Sequence, residues 1–389
     1  MTRASQFRPA WMLCLVLSTC NSFGEALGDT ADIASEVAGL REQFLAVDFT
    51  ALRMAINDLR QSFPSQYPNA DDYLAELATI EPHRAATGDG LVRGESNAVA
   101  QAKRLLALQR EALQTNPLLD FDRLLLVRRR PFKDGRPGNA DTCTQWDVGL
   151  PRSSTGNSTI PPNVHDNSLV ILSPVSPQGK LTTLFAPEGP KCLTDVDLHF
   201  DAQRLLFSMR DDRSAWQIYE IATDGTGFRQ VSRGEQPDVD NYDACYLPDG
   251  RIQFGSSACF QAVPCNGSHV AVLYRMEADG SGVRQLCFDQ DHCFNPVVLP
   301  NGRVMYLRWE YSDLPHSNSR MLFTMNPDGT DQRAYYGSNS YWPNSIFGAR
   351  PIPRQAGKFV GIVNGHHGSH REGELVLFNV ALGRYEADG

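Results

Sequence analysis

The chain has 389 residues, 41% of them hydrophobic, which is ample for one large core or two domains. Its formal net charge is -9, and this acidity argues against a nucleic-acid partner, which normally needs a basic face. Beyond the N-terminal leader described next, no segment is long and apolar enough to cross a membrane, so no transmembrane segment is expected.

The N-terminus, residues 1–26, has the pattern of a secretory signal peptide. Arg3 and Arg8 precede an apolar run, and small residues follow up to Ala26. This pattern predicts cleavage after Ala26 and export to the periplasm or another extracytoplasmic compartment. A lipoprotein anchored at Cys20 is the alternative, although the threonine before that cysteine fits it poorly.

Residues 29–116 are predicted to form a helical segment. Apolar residues recur at three- and four-residue spacing from Ile33 to Phe44 and from Leu52 to Phe63, which places them on one helix face. Asp48 is the expected N-cap of the second helix, and Pro64 its end. Two further helices are expected, from about Asn69 to Pro82 and from about Ser96 to Thr115, with the Gly-rich stretch 88–94 as a linker between them.

Residues 117–389 change to short apolar strands separated by tight turns. Pro-Asp-Gly-Arg at 248–251 returns as Pro-Asn-Gly-Arg at 300–303. The Asp-Gly and Asn-Gly pairs in these sequences favour the positive φ values of two-residue hairpin turns. A second turn follows in each unit, at Asp224-Gly225, Asp279-Gly280 and Asp328-Gly329. A repeat of roughly 50 residues built from strands and hairpins predicts a β-propeller with one blade per repeat.

The fold prediction is therefore a mainly β chain: a β-propeller of four-stranded blades preceded by an α-helical segment. The apolar segments Leu205–Ser208, Val304–Tyr306 and Phe359–Val363 are predicted to be inner strands of their blades, and Cys245 is predicted to lie in an inner strand as well. About five blades can be counted, and the sequence stops between strands. The expectation is an incomplete ring that belongs to a longer protein.

Aspartates recur near the start of each predicted blade. Catalysis needs a group once per molecule, so recurrence favours a structural role over an acid–base or calcium site. We expect these carboxylates to accept backbone N–H bonds in the loops before the inner strands. They are Asp195, Asp197, Asp240, Asp243, Asp289 and Asp291.

Seven of the nine cysteines follow the predicted cleavage site, and export would permit disulfides. Two disulfides are expected because each would join cysteines only six residues apart. A third disulfide could join the loop after the helices to the β region. The candidate pairs are Cys259 with Cys265, Cys287 with Cys293, and Cys143 with Cys192. The odd number then leaves Cys245 as a buried free thiol, although the sequence alone leaves the connectivity open.

Five long blocks resemble a known family. They are Asn-Pro-Leu-Leu-Asp-Phe at 116–121, Cys-Tyr-Leu-Pro-Asp-Gly-Arg at 245–251, Tyr-Leu-Arg-Trp-Glu-Tyr at 306–311, Gly-Ser-Asn-Ser-Tyr-Trp-Pro-Asn-Ser at 337–345 and Gly-His-His-Gly at 365–368. These blocks resemble the middle domain of the hydrazine synthase alpha subunit, which is widespread in exported proteins of planctomycete type. The Asp-Gly-Thr/Ser turns resemble TolB-like (PD40) repeats.

The resemblance implies a propeller associated with a covalent c-type haem and a zinc ion. Covalent haem attachment needs Cys-x-x-Cys-His, and this chain has no such motif. The haem chemistry of that family could therefore reach this protein only through further sequence or a partner. The resemblance does not place the family's zinc ligands on particular residues of this chain.

Two groups of residues are candidates for a site. His366, His367 and His370 could bind a metal ion, since neutral imidazoles ligate zinc, copper, nickel or iron. Trp309 and Tyr311, together with His366 and His367, are candidates for cofactor contact at a channel mouth. The alternatives are that the histidines hydrogen-bond the backbone and that Trp309 packs between blades. No residue is assigned a catalytic role, and no Gly-x-Ser-x-Gly motif is present.

Three functions are consistent with these patterns. The first is an exported binding or scaffold module whose channel accepts a small ligand, a metal or a protein partner. The second is part of a haem-dependent oxidoreductase of the hydrazine synthase type. The third is a secreted metal-dependent hydrolase that uses the histidine cluster.

Overall fold

The structure is a computed structural model. It describes residues 30–133, 136–137, 149–152, 155–176, 178–264, 267–311, 320–337, 345–365 and 370–384. The chain forms two compact units, one of residues 1–124 with 172–180, the other of residues 125–171 with 181–389. Within the described part of the chain, no helix has the length and apolar character needed to span a membrane.

The first unit is helical. Asp48 caps the second helix as predicted, accepting a hydrogen bond from the Ala51 N–H at 2.9 Å. The helices are α1 (Thr30–Ala46), α2 (Phe49–Ser62), α3 (Ala70–Ile80), α4 (Arg84–Val92) and α5 (Ser96–Gln114). Their apolar faces enclose one core, in which Phe44, Ile56 and Leu105 are fully buried.

The prediction of a linker at 88–94 was wrong, because α4 occupies most of that stretch. Glycine has a low helix propensity, which is why the sequence favoured a loop. Packing explains the residue choice, since a Cβ on Gly90 would lie 2.7 Å from the Cβ of Ala98 on α5. The glycine therefore lets α4 and α5 approach closely.

The second unit is built from antiparallel sheets, and the mainly β architecture is confirmed. The first sheet has the order β1 (Leu124–Arg128), β4 (Ser168–Ser173), β5 (Lys180–Phe185), and β2 (Phe132–Lys133) pairs with β3 (Arg136–Pro137). The second sheet contains β6 (Leu193–Leu198), β7 (Arg204–Arg210), β8 (Trp216–Ala222) and β9 (Arg229–Gln230). The third contains β10 (Asn241–Tyr246), β11 (Ile252–Ser256), β12 (Val272–Met276) and β13 (Arg284–Gln285).

Two further sheets follow in the chain. The fourth contains β14 (Cys293–Val298), β15 (Val304–Trp309), β16 (Arg320–Met325) and β17 (Arg333–Tyr336). The fifth contains β18 (Ser345–Pro351), β19 (Lys358–Asn364) and β20 (Glu374–Asn379), and a single parallel bridge joins it to β16. Among the described strands, none pairs so as to close these sheets into a ring.

The sheets pack on one another through their first strands, as blades do in a propeller. Strand β10 lies against β6 and β7, β14 against β10, and β18 against β14. The innermost strands are therefore β6, β10, β14 and β18. The predicted inner strands at 205–208, 304–306 and 359–363 are second strands, so the prediction was wrong for these three, whereas Cys245 does lie in an innermost strand, β10. Their continuous apolar runs reflect burial on both faces, whereas the true first strands carry polar residues.

Candidate functional site

Each of these first strands contains a bulge. One residue of each bulge lies in the left-handed region of backbone conformation. The φ values are 52° at Asp195, 57° at Asp243, 51° at Asn295 and 56° at Gly348. The register with the second strand shifts at the same point in all four of these sheets. Asp, Asn and Gly tolerate this conformation better than other residues, which explains their recurrence there.

The bulges are linked from sheet to sheet by hydrogen bonds. Asp195 Oδ2 accepts from the Asp243 N–H at 3.2 Å, and Asp243 Oδ2 accepts from the Asn295 N–H at 2.6 Å. Asn295 Oδ1 in turn accepts from the Gly348 N–H at 3.1 Å. Each bulge side chain therefore satisfies the backbone of the next bulge, which fixes the first strands relative to one another.

The predicted structural role of the aspartates holds for five of the six. Asp195, Asp197, Asp240, Asp243 and Asp291 each accept a backbone N–H. Asp289 differs, because it pairs with Arg308 at 3.0 Å. Their predicted position in connecting loops was wrong for Asp195, Asp197 and Asp243, which lie inside β6 and β10.

Arg371 brings a positive charge to the bulges. Its guanidinium carbon lies 4.1 Å from the ring centroid of Phe294, and burial lowers its pKa while Asp243 and Asp195 raise it. In return, burial and the charge of Asp195 raise the pKa of Asp243 to about 6, and Arg371 opposes that rise. Arg371 therefore compensates the negative charges of Asp195 and of the buried Asp243.

The same arginine holds a loop in place. Its Nη2 donates to the carbonyl of Thr155 at 3.1 Å, and its backbone N–H donates to the carbonyl of Pro151 at 3.1 Å. Asn157 on that loop donates from Nδ2 to Asp195 Oδ2 at 2.5 Å. The described residues of this loop, 149–152 and 155–161, are thereby attached both to Arg371, which precedes β20, and to the first strand of the second sheet.

A cavity of about 330 Å³ lies between this loop and the β19–β20 connection. Its lining combines a guanidinium, hydroxyls and an imidazole with apolar surface. The lining residues are Gly149, Leu150, Pro151, Arg152, Thr155, Thr159, Ile160, Pro161, Ser268 and His370. This mixture of a few polar groups on a concave apolar wall is typical of sites for small molecules.

His370 is the predicted site residue that the structure places in the cavity. It is 2% exposed, and its backbone forms a β-bridge with Arg152. Burial lowers the pKa of His370 from 6.5; Glu372 opposes this and Arg152 adds to it. The imidazole is therefore neutral at pH 7 and becomes a cation only in more acidic solution.

The other predicted site residues are placed elsewhere or lie outside the described residues, as His366 and His367 do. Trp309 is 1% exposed and stacks parallel to the ring of His292 at 6.1 Å, with the guanidinium of Arg320 3.7 Å from its own ring. The ring of Tyr311 packs against it at 5.3 Å. Neither aromatic residue lines the cavity.

Sequence reasoning missed most of the cavity. Arg152, Thr155 and Thr159 belong to a stretch that reads as an irregular surface loop, and Ser268 and Arg371 carry no motif. No periodicity marks them, because their proximity comes from contacts between distant parts of the chain. The only local signal was the neighbourhood of His370.

The cysteines differ in part from the predicted pairing. Cys245 is a buried free thiol, as predicted. Cys287 and Cys293 are also free, so the pair proposed from their spacing is not formed. The Cys293 thiol instead donates to Asp289 Oδ2 at 3.2 Å. Cys192 and Cys259 are free as well, and their proposed partners, Cys143 and Cys265, lie outside the described residues.

Comparisons with known proteins show similarity at low identity. No family model matches the chain, and no curated protein matches its sequence. Hydrazine synthase from Kuenenia stuttgartiensis is 15% identical, with a TM-score of 0.49, over 66% of this chain and 37% of that one. A putative TolB from Agrobacterium tumefaciens is 16% identical, with a TM-score of 0.37, over 55% and 65%.

TolB from Acinetobacter baumannii is a further similar structure, at 12% identity and a TM-score of 0.35, over 55% of this chain and 52% of that one. The chain thus spans less than two thirds of each of these three proteins. All three TM-scores are below 0.5, and these likenesses identify no specific family.

Proposed function

We propose that this chain is an exported binding module whose propeller-like sheets support a cavity for a small organic anion. The cavity between the 149–161 loop and His370 carries this proposal. Arg152 supplies a fixed positive charge of the planar kind that pairs with carboxylate or phosphate oxygens. Ser268 adds a hydroxyl to the lining, and Ile160 supplies apolar surface for the body of the ligand.

The walls of the cavity are held in advance of binding. Arg371 bonds the carbonyls of Thr155 and Pro151, and Thr155 and Thr159 share a hydrogen bond between their hydroxyls at 2.6 Å. A site whose loops are already ordered loses less conformational entropy when a ligand enters. The arrangement therefore suits selective binding of a small molecule.

The test uses benzoate, benzenesulfonate and inorganic phosphate as probes in calorimetry and thermal-shift assays. We expect at least one probe to bind and Arg152→Gln to weaken it by about tenfold or more, the usual effect of losing a charged hydrogen bond. Arg284→Gln is the matched control, because it removes the same charge from an exposed position on β13. No binding by any probe at millimolar concentration, or equal binding by both variants, would contradict the proposal.

The protonation of His370 gives the site a pH dependence. Because its pKa lies below 6.5, acidification adds a positive charge to the cavity. Benzenesulfonate stays ionised over this range, so its affinity should rise as the pH falls from 7 to 5. The rise should vanish in His370→Gln, and a rise of the same size in that variant would assign the effect to another group.

A metal-dependent hydrolase is the second candidate, because His370 presents an imidazole to the cavity. It requires further ligands from His366 or His367. Metal analysis of His366→Ala and His367→Ala against the wild type tests it, and an unchanged metal content in both removes it. The haem-dependent alternative gains no support from this chain, which has no Cys-x-x-Cys-His motif.

A further inference from the structure

A separate group of metal-ligating side chains lies in the connection between the third and fourth sheets. Cys287, Asp289 and Cys293 each offer one ligand atom, and these atoms all lie within 4.8 Å of one another. Both cysteines are fully buried, and Asp289 is half-buried. Tetrahedral zinc with sulfur ligands at about 2.3 Å needs its ligand atoms about 3.8 Å apart, so only small shifts would close the site.

The backbone holds both cysteines against one strand. The Cys287 N–H donates to the Leu273 carbonyl at 3.2 Å, and the Cys293 N–H donates to the Ala271 carbonyl at 2.9 Å. These carbonyls are two residues apart, so they face the same edge of the strand. The intervening residues 288–292 form a loop anchored at both ends, which carries Asp289 to the two sulfur atoms.

Arg308 places a positive charge beside the group. It is the cross-strand partner of Cys293, and its Nη2 lies 3.0 Å from Asp289 Oδ1. The other carboxylate oxygen, Oδ2, faces the Cys293 sulfur. Arg308 also lies 3.4 Å from Glu310, so its guanidinium offsets only part of the negative charge that two thiolates and a carboxylate would bring to a divalent cation.

A disulfide is the competing use of the two cysteines, and it makes no use of the contact between Asp289 Oδ2 and the Cys293 sulfur. A disulfide needs its sulfur atoms at about 2 Å and gains nothing from a neighbouring carboxylate. Zinc accepts two thiolates and a carboxylate together, and a carboxylate ligand is itself usually hydrogen-bonded by an outer residue, as Arg308 does here. The presence of Asp289 and Arg308 therefore favours the metal.

We propose that Cys287, Asp289 and Cys293 bind one zinc ion and that Arg308 orients Asp289. Binding forms two zinc–sulfur bonds and releases the two thiol protons to solvent, with no change in oxidation state. The three protein ligands leave the fourth position of a tetrahedral ion to water, which can enter beside Phe288, 79% exposed. The ion joins the end of the third sheet to the first strand of the fourth, which gives it a structural role.

The test is zinc analysis of the full chain purified without chelator. We expect about one zinc per wild-type chain, and most of it should be lost in Cys287→Ser and in Cys293→Ser. Cys259→Ser is the matched control, because this thiol is free and lies outside the group. His366→Ala and His367→Ala should keep this zinc, which separates the result from metal binding at the cavity.

Cobalt titration of the wild type tests the site without relying on variants that could fail to fold. Thiolate ligation gives a sulfur-to-cobalt charge-transfer band, and zinc should displace the cobalt and remove the band. A Cys287–Cys293 disulfide in the purified protein, with no cobalt or zinc uptake after reduction, would overturn the proposal. Zinc content that is unchanged in both cysteine variants would also overturn it.

Discussion

Asp243 has two roles, as a hydrogen-bond acceptor and as a charged group, and Asn295 in the next sheet has only the first. Both Asp243 and Asn295 occupy a bulge with positive φ, and both accept the backbone N–H of the following bulge. Only Asp243 adds a charge, which Arg371 compensates. The bulge itself therefore needs an acceptor and tolerance of the left-handed conformation, whereas the charge serves the contact with Arg371.

Asp243→Asn and Asp243→Ala should differ sharply. Asparagine keeps the acceptor and tolerates the φ, so we expect a loss below about 1 kcal/mol at pH 7. Alanine leaves the Asn295 N–H without its acceptor and is strained at this φ, so a loss of about 2–4 kcal/mol is expected. Urea unfolding measures both values, and equal losses would show that the side-chain acceptor does not matter.

Comparison of Asp243→Asn with the wild type at several pH values measures the effect of the Asp243 charge. Its pKa is raised to about 6, above the usual 3.8, so between these values the folded state binds more protons than the unfolded state. The contribution of this carboxyl to stability therefore declines as the pH rises through that window. Asp243→Asn should gain about 1–3 kcal/mol relative to the wild type between pH 4 and pH 7. A constant difference would contradict the raised pKa.

At the level of elements, the two recurring turns have different surroundings. The Asp-Gly turn of each sheet approaches the sheet before it: a Cβ on Gly280 would lie 2.0 Å from the Val231 carbonyl, and one on Gly329 would lie 3.0 Å from Leu286 Cβ. The other turn, at Gly250, has nothing within 4 Å of an added Cβ. The first kind of turn therefore packs sheet against sheet, and the second kind only reverses the chain.

Gly280→Ala and Gly250→Ala are a matched pair, because the two glycines have φ of 81° and 86°. Both substitutions should cost about 1–2 kcal/mol for placing alanine in the left-handed region. Gly280→Ala should cost a further 1–3 kcal/mol or so, because its methyl group meets a backbone carbonyl. Denaturant unfolding measures the loss of stability in both variants. Equal losses would mean that the adjacent sheet moves to accommodate the methyl group at no cost.

At the level of the whole molecule, the helical unit and the β unit each have a core of their own. Leu105 is fully buried among helical residues, and Met305 is fully buried among the sheets. A unit with its own apolar core can unfold as a cooperative block. The chain should therefore show separate responses to cavities made in the two cores.

Leu105→Ala and Met305→Ala test this independence in the intact chain. Each should lower the stability of its own unit by about 2–5 kcal/mol, the usual cost of truncating a buried aliphatic side chain. Scanning calorimetry, with far-ultraviolet circular dichroism to follow the helices, should show a different transition shifting in each variant. A single transition that moves equally in both would show that the units unfold together.

Local features of this protein were readable from the sequence because their causes are local. Asp48 was recognised as a cap, and the turns at Gly225, Gly250 and Gly280 were placed correctly, because capping and positive φ depend on a few adjacent residues. The recurrence of aspartate indicated a structural role, which five of the six confirm. These signals were enough for the mainly β class and the helical segment.

The tertiary structure alone decided which strands are central and where the cavity lies. An apolar run marks a strand buried on both faces, so β7, β15 and β19 were mistaken for the first strands, whose bulges break the alternation. The cavity depends on pairs such as Arg371 and Thr155, 216 residues apart in the chain. No local pattern encodes such a contact, because it exists only once packed sheets have brought the two segments together.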